Sequence, residues 1–239
     1  MYPTMHALVN GMLIEPAPTS RTPTAAEAAY QRLRGMILDN LLPPGAQRLE
    51  AELALELGMS RTPVREAMLR LQQDGLVQVL PRHGMRVTAI SAAELRDIYD
   101  VLESLEPKAA ELLARRRLPE AELAPLIAAC DAMEAALAIE DRSAWAAADE
   151  AFHRGLAELC GNRRLAAMAM QVWDQSHRAR MFTLAMRPLP AHSTAEHRAT
   201  LQAIRAGDAE EARESYRRHR QRGGAELIAL IERSGLAWL

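Results

Sequence analysis

The sequence predicts a mainly α-helical protein in two parts: three helices followed by a hairpin, then a longer stretch that is helical throughout. Three observations carry that expectation. Alanine and leucine abound while aromatic residues make up only 4% of the 239 residues, and strands would enrich in aromatic and β-branched types. Helix-starting and helix-stopping residues recur along the chain. The hydrophobic period shifts from about 3.6 to 2 residues between positions 76 and 89, where Leu76-Val77-Gln78-Val79-Leu80 and Met85-Arg86-Val87-Thr88-Ala89 flank the turn-forming Pro81-Arg82-His83-Gly84.

Residues 1–24 lack a charged segment followed by an apolar one, which makes them a poor signal peptide, and their Pro/Thr/Ser-rich end reads as a flexible arm. A first unit follows over residues 25–90. Thr24 and Glu27 have capping-box spacing and open a helix that runs to about Asn40, with Ala29, Leu33, Met36 and Ile37 at helical spacing. Pro43, Pro44 and Gly45 stop it. A short helix from Glu50 to Leu57 puts Leu49, Leu53 and Leu57 on one face, and Gly58 ends it. A third helix runs from about Arg61 to Asp74, with Ser60 or Thr62 as its cap, Pro63 tolerated in the first turn and Gly75 as its stop. A glycine turn between the second and third helices, then a hairpin, is the plan of a winged helix-turn-helix.

The second unit, residues 91–239, reads as an all-helical antiparallel bundle. Helices are expected over 92–117, 120–139, 142–160, 163–186, 193–206 and 208–232. Ser91 with Glu94, Ser193 with Glu196 and Asp208 with Glu211 all have capping-box spacing. No run of about 18 apolar residues exists, so no membrane span is expected. Cys130 and Cys160 are too few for a disulfide framework and fit a reducing cytosol. The formal net charge of -2 excludes nothing about partners, so local charge has to speak.

The third helix speaks clearly. Val64, Ala67, Met68 and Leu71 share an inward face, which leaves Arg61, Thr62, Arg65 and Gln72 on others. Such a helix fits the major groove of B-DNA, where the planar fork of arginine matches two acceptors on one guanine edge. Ser60 and Thr62 stand at the helix N-terminus, suited to phosphate, and Arg82, His83 and Arg86 on the hairpin would follow the adjacent backbone or minor groove.

In the second unit Asp149 and His153 are four residues apart and so share a helix face, while His197 and His219 fall on two further helices. One carboxylate and three imidazoles suit Zn²⁺, Ni²⁺, Mn²⁺ or Fe²⁺. The same residues also fit surface groups or helix caps, which Asp/His pairs often are.

Residues from about Tyr30 to Ala89 resemble the N-terminal domain of the GntR family of bacterial transcription regulators. The matching residues are Leu42-x-Pro44-Gly45, Leu49-x-x-x-Leu53-Ala54, Leu57-Gly58-x-Ser60-Arg61-Thr62-Pro63-Val64-Arg65-Glu66-Ala67, Gly75-Leu76-Val77 and Gly84-x-x-Val87. The resemblance implies operator contacts from Arg61, Thr62 and Arg65, a wing tip at His83 and Gly84 in the minor groove, and a homodimer on a palindromic operator. Residues 92–239 resemble the FCD ligand-binding domain of the FadR-type branch, through Asp149-x-x-x-His153, Gly161-Asn162, Glu196-His197, Gly207-Asp208 and His219, and with six helices they look like its VanR-type version. That resemblance implies a divalent metal on Asp149, His153, His197 and His219, and a small carboxylate effector beside it.

One departure stands out. Relatives often carry an arginine one turn before Leu105-Glu106, where this chain has Leu102. Arg178 or Arg180 is the expected substitute for holding the effector. Together these features predict a cytoplasmic, ligand-responsive repressor rather than an enzyme, since no separate nucleophile or general-base motif is present. A metalloenzyme carrying a DNA-binding head, with Glu150 beside the metal, is one alternative; a DNA-binding dimer with a purely structural metal is another.

Overall fold

The structure, a computed structural model, describes residues 23–234. Positions 1–22 of the expected arm lie outside the described residues, as do 235–239.

The first unit comprises α1 (Ala25–Leu38), β1 (Gln47–Arg48), α2 (Glu50–Leu57), α3 (Arg61–Gln73), β2 (Val77–Leu80) and β3 (Gly84–Val87). Its core is one cluster in which Ala29, Leu33 and Ile37 of α1 meet Leu53 and Leu57 of α2 and Val64, Ala67 and Leu71 of α3. The capping box expected at Thr24 half forms. Thr24 accepts from the Glu27 N–H at 3.1 Å, but the Glu27 carboxylate turns to Gln31 and Arg70. Leu49 stays 44% exposed, because it precedes α2 and lies outside the face that Leu53 and Leu57 bury.

The hairpin has a third strand that the sequence pattern did not reveal. β1 pairs antiparallel with β3, giving the order β1-β3-β2. Two residues are too short a run to show periodicity. This pairing is why position 84 must be glycine: φ is +77°, and a Cβ there would lie 1.9 Å from the Arg48 carbonyl oxygen. Gln72, expected to be free on α3, accepts instead from the Val79 N–H at 2.7 Å and ties the recognition helix to the hairpin.

The second unit is α4 (Ala92–Arg116), α5 (Glu120–Ala138), α6 (Arg142–Leu159), α7 (Arg163–Phe182), a 3-10 turn (Leu184–Met186), α8 (Ala191–Ala206) and α9 (Ala209–Ser234). Caps form at Ser91, Asp141, Asn162 and Asp208, each accepting a first-turn N–H. Ser193 and Glu196 form no cap. α8 begins two residues earlier, and Glu196 turns instead to the charged Arg222 and to His219 on α9. α4 packs along α9 at close range, with Gly224 so near Tyr99 that a Cβ would lie 2.5 Å from its ring. Among the described residues no helix is long and apolar enough to cross a membrane.

The two units meet along α7. Asp174 receives both arms of the Arg34 guanidinium from α1, Gln175 donates to the Asp74 carbonyl at 3.0 Å, and Arg178 donates to the Thr88 carbonyl at 2.9 Å.

Gly84→Ala is therefore expected to destabilise the first unit by about 2 kcal/mol or more, through positive-φ strain plus displacement of β1. Chemical denaturation monitored by circular dichroism reads the loss.

Candidate metal centre and nucleic-acid interface

α6 carries Asp149 and His153 one turn apart on its inner face, and both are buried at 1% and 0% exposure. α8 supplies His197 and α9 supplies His219. The three imidazoles converge: one nitrogen from each of His153, His197 and His219 lies within 4.8 Å of the others. Asp149 stands beside this group and is already engaged. Its Oδ1 is 3.0 Å from His197 Nε2, and its Oδ2 accepts from Arg180 at 2.6 Å.

Burial sets the protonation. Desolvation, helped by the Arg220 charge, pushes the His153 imidazole well down, and desolvation with the neighbouring His197 brings His219 down to about 3. Both rings are neutral near pH 7, as metal ligation requires. Burial alone would raise the Asp149 carboxyl, but the Arg180 charge and the imidazoles around it hold it well below the usual range. The Arg180 charge is the largest of the influences that keep Asp149 ionised.

The donor set fits a divalent ion. His197 Nδ1 is buried without a hydrogen-bond partner. His219 Nδ1 lies 2.8 Å from Glu196 Oε2, so its N–H is spoken for there and Nε2 keeps a free lone pair. A carboxylate behind an imidazole in this way fixes the tautomer and raises its basicity as a ligand. At His153 Nδ1, Tyr216 Oη at 2.5 Å and Arg220 at 2.9 Å converge, and Arg220 in turn is held by both oxygens of Glu106.

A cavity of about 580 Å³ opens beside His219. Arg180, Arg187, His219, Arg220 and Arg222 line its polar side, and Tyr99, Met186, Leu189 and Leu230 its apolar side. Of the two arginines expected to hold an effector, the structure brings only Arg180 here. Arg178 is buried on the other side of α7 against the Thr88 and Leu76 carbonyls. Two residues apart on a helix do not share a face.

The residues missed in sequence were Glu106, Arg187, Glu196, Tyr216 and Arg220. Glu106 did leave a signal. It falls in the helical register of Leu95, Tyr99, Leu102, Ala109 and Leu113, all buried, and a charge in an apolar stripe marks a buried partner. Arg187 lies in a turn, where no periodicity operates.

The other surface lies at the far end of the first unit. Ser60 caps α3 by backbone alone, so its hydroxyl makes no cap bond. Arg61, Thr62 and Arg65 are exposed at the helix start. Arg61 is 70% exposed in its side chain and touches Glu50 at 2.9 Å. Arg65 has no ion pair among the described residues. Arg82 and His83 are exposed at the hairpin tip beside Gly84, while Arg86 is drawn to Gln47 at 3.2 Å.

Two family models match. The first, bacterial regulatory proteins of the gntR family, covers residues 25–87, and the second, the FCD domain, covers residues 97–222. An HTH-type transcriptional regulator in the TAR-I ttuE-ttuC' intergenic region of Agrobacterium vitis is 50% identical over 131 residues, which is 54% of this chain and 77% of that one. An HTH-type transcriptional regulator in an unstable DNA locus of Streptomyces ambofaciens is 34% identical over 80% of this chain and 79% of its own. The HTH-type transcriptional repressor GlaR of Escherichia coli strain K12 is 27% identical over 80% of this chain and 90% of its own. In fold the chain is similar to McbR/YncC of E. coli, with a TM-score of 0.77 at 24% identity, covering 86% of this chain and 98% of that one.

The donor geometry sets an expectation for metal removal. His197→Ala should abolish stoichiometric metal uptake, measured by elemental mass spectrometry, while helicity by circular dichroism is kept. Glu196→Gln should weaken the affinity by about 10–100-fold, because it releases the His219 tautomer.

Proposed function

Because the chain belongs to the gntR family of bacterial regulatory proteins and carries an FCD domain, and so is a transcriptional regulator rather than an enzyme, we propose that it is a metal-dependent sensor of a small organic acid. It acts as a homodimer in the cytoplasm, represses from a palindromic operator, and changes its grip on DNA when the acid binds. The domains are residues 25–90 for DNA and 91–239 for sensing and dimerisation.

On the DNA side, Arg65 and Arg61 read base edges, with Thr62 and Ser60 on phosphate. Arg65 approaches DNA without giving up a protein partner, whereas Arg61 has only an exposed contact to release, which costs little. Arg82, His83 and Gly84 enter or follow the minor groove, positioned by the β1 pairing.

On the sensing side, His153, His197 and His219 hold the ion, with Asp149 completing the set. Zn, Ni and Mn all suit such ligands. When bound, the ion supplies a fixed positive charge at the inner end of the cavity, which favours a carboxylate there.

The observation that carries the reading is the position of α7. Arg180 reaches the centre through Asp149, while Asp174 and Arg178 on the same helix grip the DNA-binding unit. Any ligand that redistributes the Asp149–Arg180 contact acts on the helix that holds the reading head. Its differential affinity for the two arrangements is what shifts the DNA equilibrium.

The test is a gel shift with the neighbouring intergenic DNA, with and without metal and a panel of organic acids. Equal operator affinity in every condition would sink the sensor reading. Within it, Arg65→Ala should cost about 1–3 kcal/mol of specific binding and relax preference at one base pair. Replacing both partners by the double change Arg34→Met and Asp174→Leu should leave the fold cooperative in thermal melts, since buried ion pairs contribute little net stability over apolar replacements. The same pair of changes should blunt the acid response of operator binding.

A further inference from the structure

The cavity beside His219 is lined by several arginines, and they differ in their partners. Arg180 is paired with Asp149, Arg220 with Glu106, and Arg222 with Glu196 and Glu226. Arg187 and Arg233 also line the cavity and have no ion pair among the described residues, but Arg233 is exposed and Arg187 is half-buried. Arg187 Nη2 donates only to the Arg180 carbonyl at 2.9 Å, and its Nε is buried with no partner. Burial, with the nearby Arg180 charge, lowers its guanidinium to about 10, which still leaves it charged at neutral pH. Arg187 is half-buried, its Nε has no hydrogen-bond partner, and the Asp149 and Glu226 carboxylates act on it only through space, so an anion entering the cavity meets an unused charged donor.

Its place in the chain supports this. Arg187 follows the 3-10 turn and is succeeded by Pro188-Leu189-Pro190, which restricts the backbone that presents it. Arg142 pins its carbonyl at 2.8 Å. The side chain lines both the large cavity and a small inner space shared with Asp149 and Arg180. It therefore spans from the effector cavity to the edge of the metal centre. Meanwhile position 102 is a fully buried leucine that presents no charge.

We propose that Arg187, presented by the segment after α7, is the effector's carboxylate anchor. The ligand is an organic acid whose carboxylate lies between Arg187 and the imidazole cluster, with its remaining carbon skeleton against Tyr99, Met186 and Leu189. This rests on the sensor reading above, and adds to it the residue that selects an anion.

The experiment is isothermal titration of the metal-loaded full chain with lactate, succinate and citrate at millimolar concentration, beside lactamide and succinamide as uncharged counterparts. At least one acid should bind the wild type and its amide should not. Arg187→Gln should weaken that acid about tenfold or more, in line with loss of a charged hydrogen bond, with metal content unchanged. Arg187→Lys, which keeps the charge, should recover part of the affinity and guards against a folding defect in the first variant. Unchanged affinity in Arg187→Gln, amides that bind as well as acids, or no acid binding by the wild type would each overturn the assignment. If the acid binds through Arg187 but operator affinity does not move, the sensor reading fails while the anchor stands. If operator DNA responds to the acid equally in wild type and Arg187→Gln, the reverse holds.

Discussion

The interior of the second unit depends on the buried pair between Arg180 and Asp149. An ionised carboxylate at 1% exposure would be strongly destabilising alone, and a lone guanidinium beside it would be too. Together they fix α7 against α6 in one register. That register sends Asp149 and His153 toward His197 and His219, and it turns Asp174 and Arg178 outward to the first unit. A shift of α7 by one residue would break both arrangements at once, because helix faces rotate by about 100° per residue.

Charge is divided strictly around that pair. The carboxylates and guanidiniums are paired across helices, with Glu106 holding Arg220 and Glu196 holding Arg222. His153 and His219 are held neutral by desolvation. Neutral His153 and His219 within mostly paired charges form a buried donor set, with Arg187 as the exception, which burial alone could not provide with lysines or unpaired acids. Glu196 belongs to both systems, since it orients His219 and anchors Arg222. Disturbing it reaches the centre and the cavity wall together.

The reading head is built on the opposite principle. Its core is apolar and closed, and its candidate contact side chains are exposed and weakly tied. Ser60, Thr62 and Arg65 are left free by a helix whose inner face is fully used by Val64, Ala67 and Leu71. The wing is rigid where the helix surface is not, because Gly84 lets β3 close on Arg48 and Gln72 clamps Val79. Backbone tied in place with unpaired side chains suits a surface that meets a charged polymer, whereas the buried histidine centre keeps most of its polar groups paired.

The sequence by itself determined the helices, the glycine turn before Ser60, the hairpin, and His153, His197 and His219 as a candidate group that the fold brings together. These are local or periodic signals, written in caps, breakers and apolar spacing. It misjudged Ser193–Glu196, because a capping box and a long-range pair of charges share the same spacing, and only the neighbouring helix shows which partner wins. It could not place β1, which is too short to have a period, nor Arg187, which lies in a turn. It left Arg178 and Arg180 equivalent, although they face opposite sides of α7. Which cation meets which carboxylate, and which is left without one, depends on residues tens to more than a hundred positions apart brought together in a dry interior. Only the tertiary structure decides that, because pairing energies there are set by distance and desolvation rather than by order along the chain.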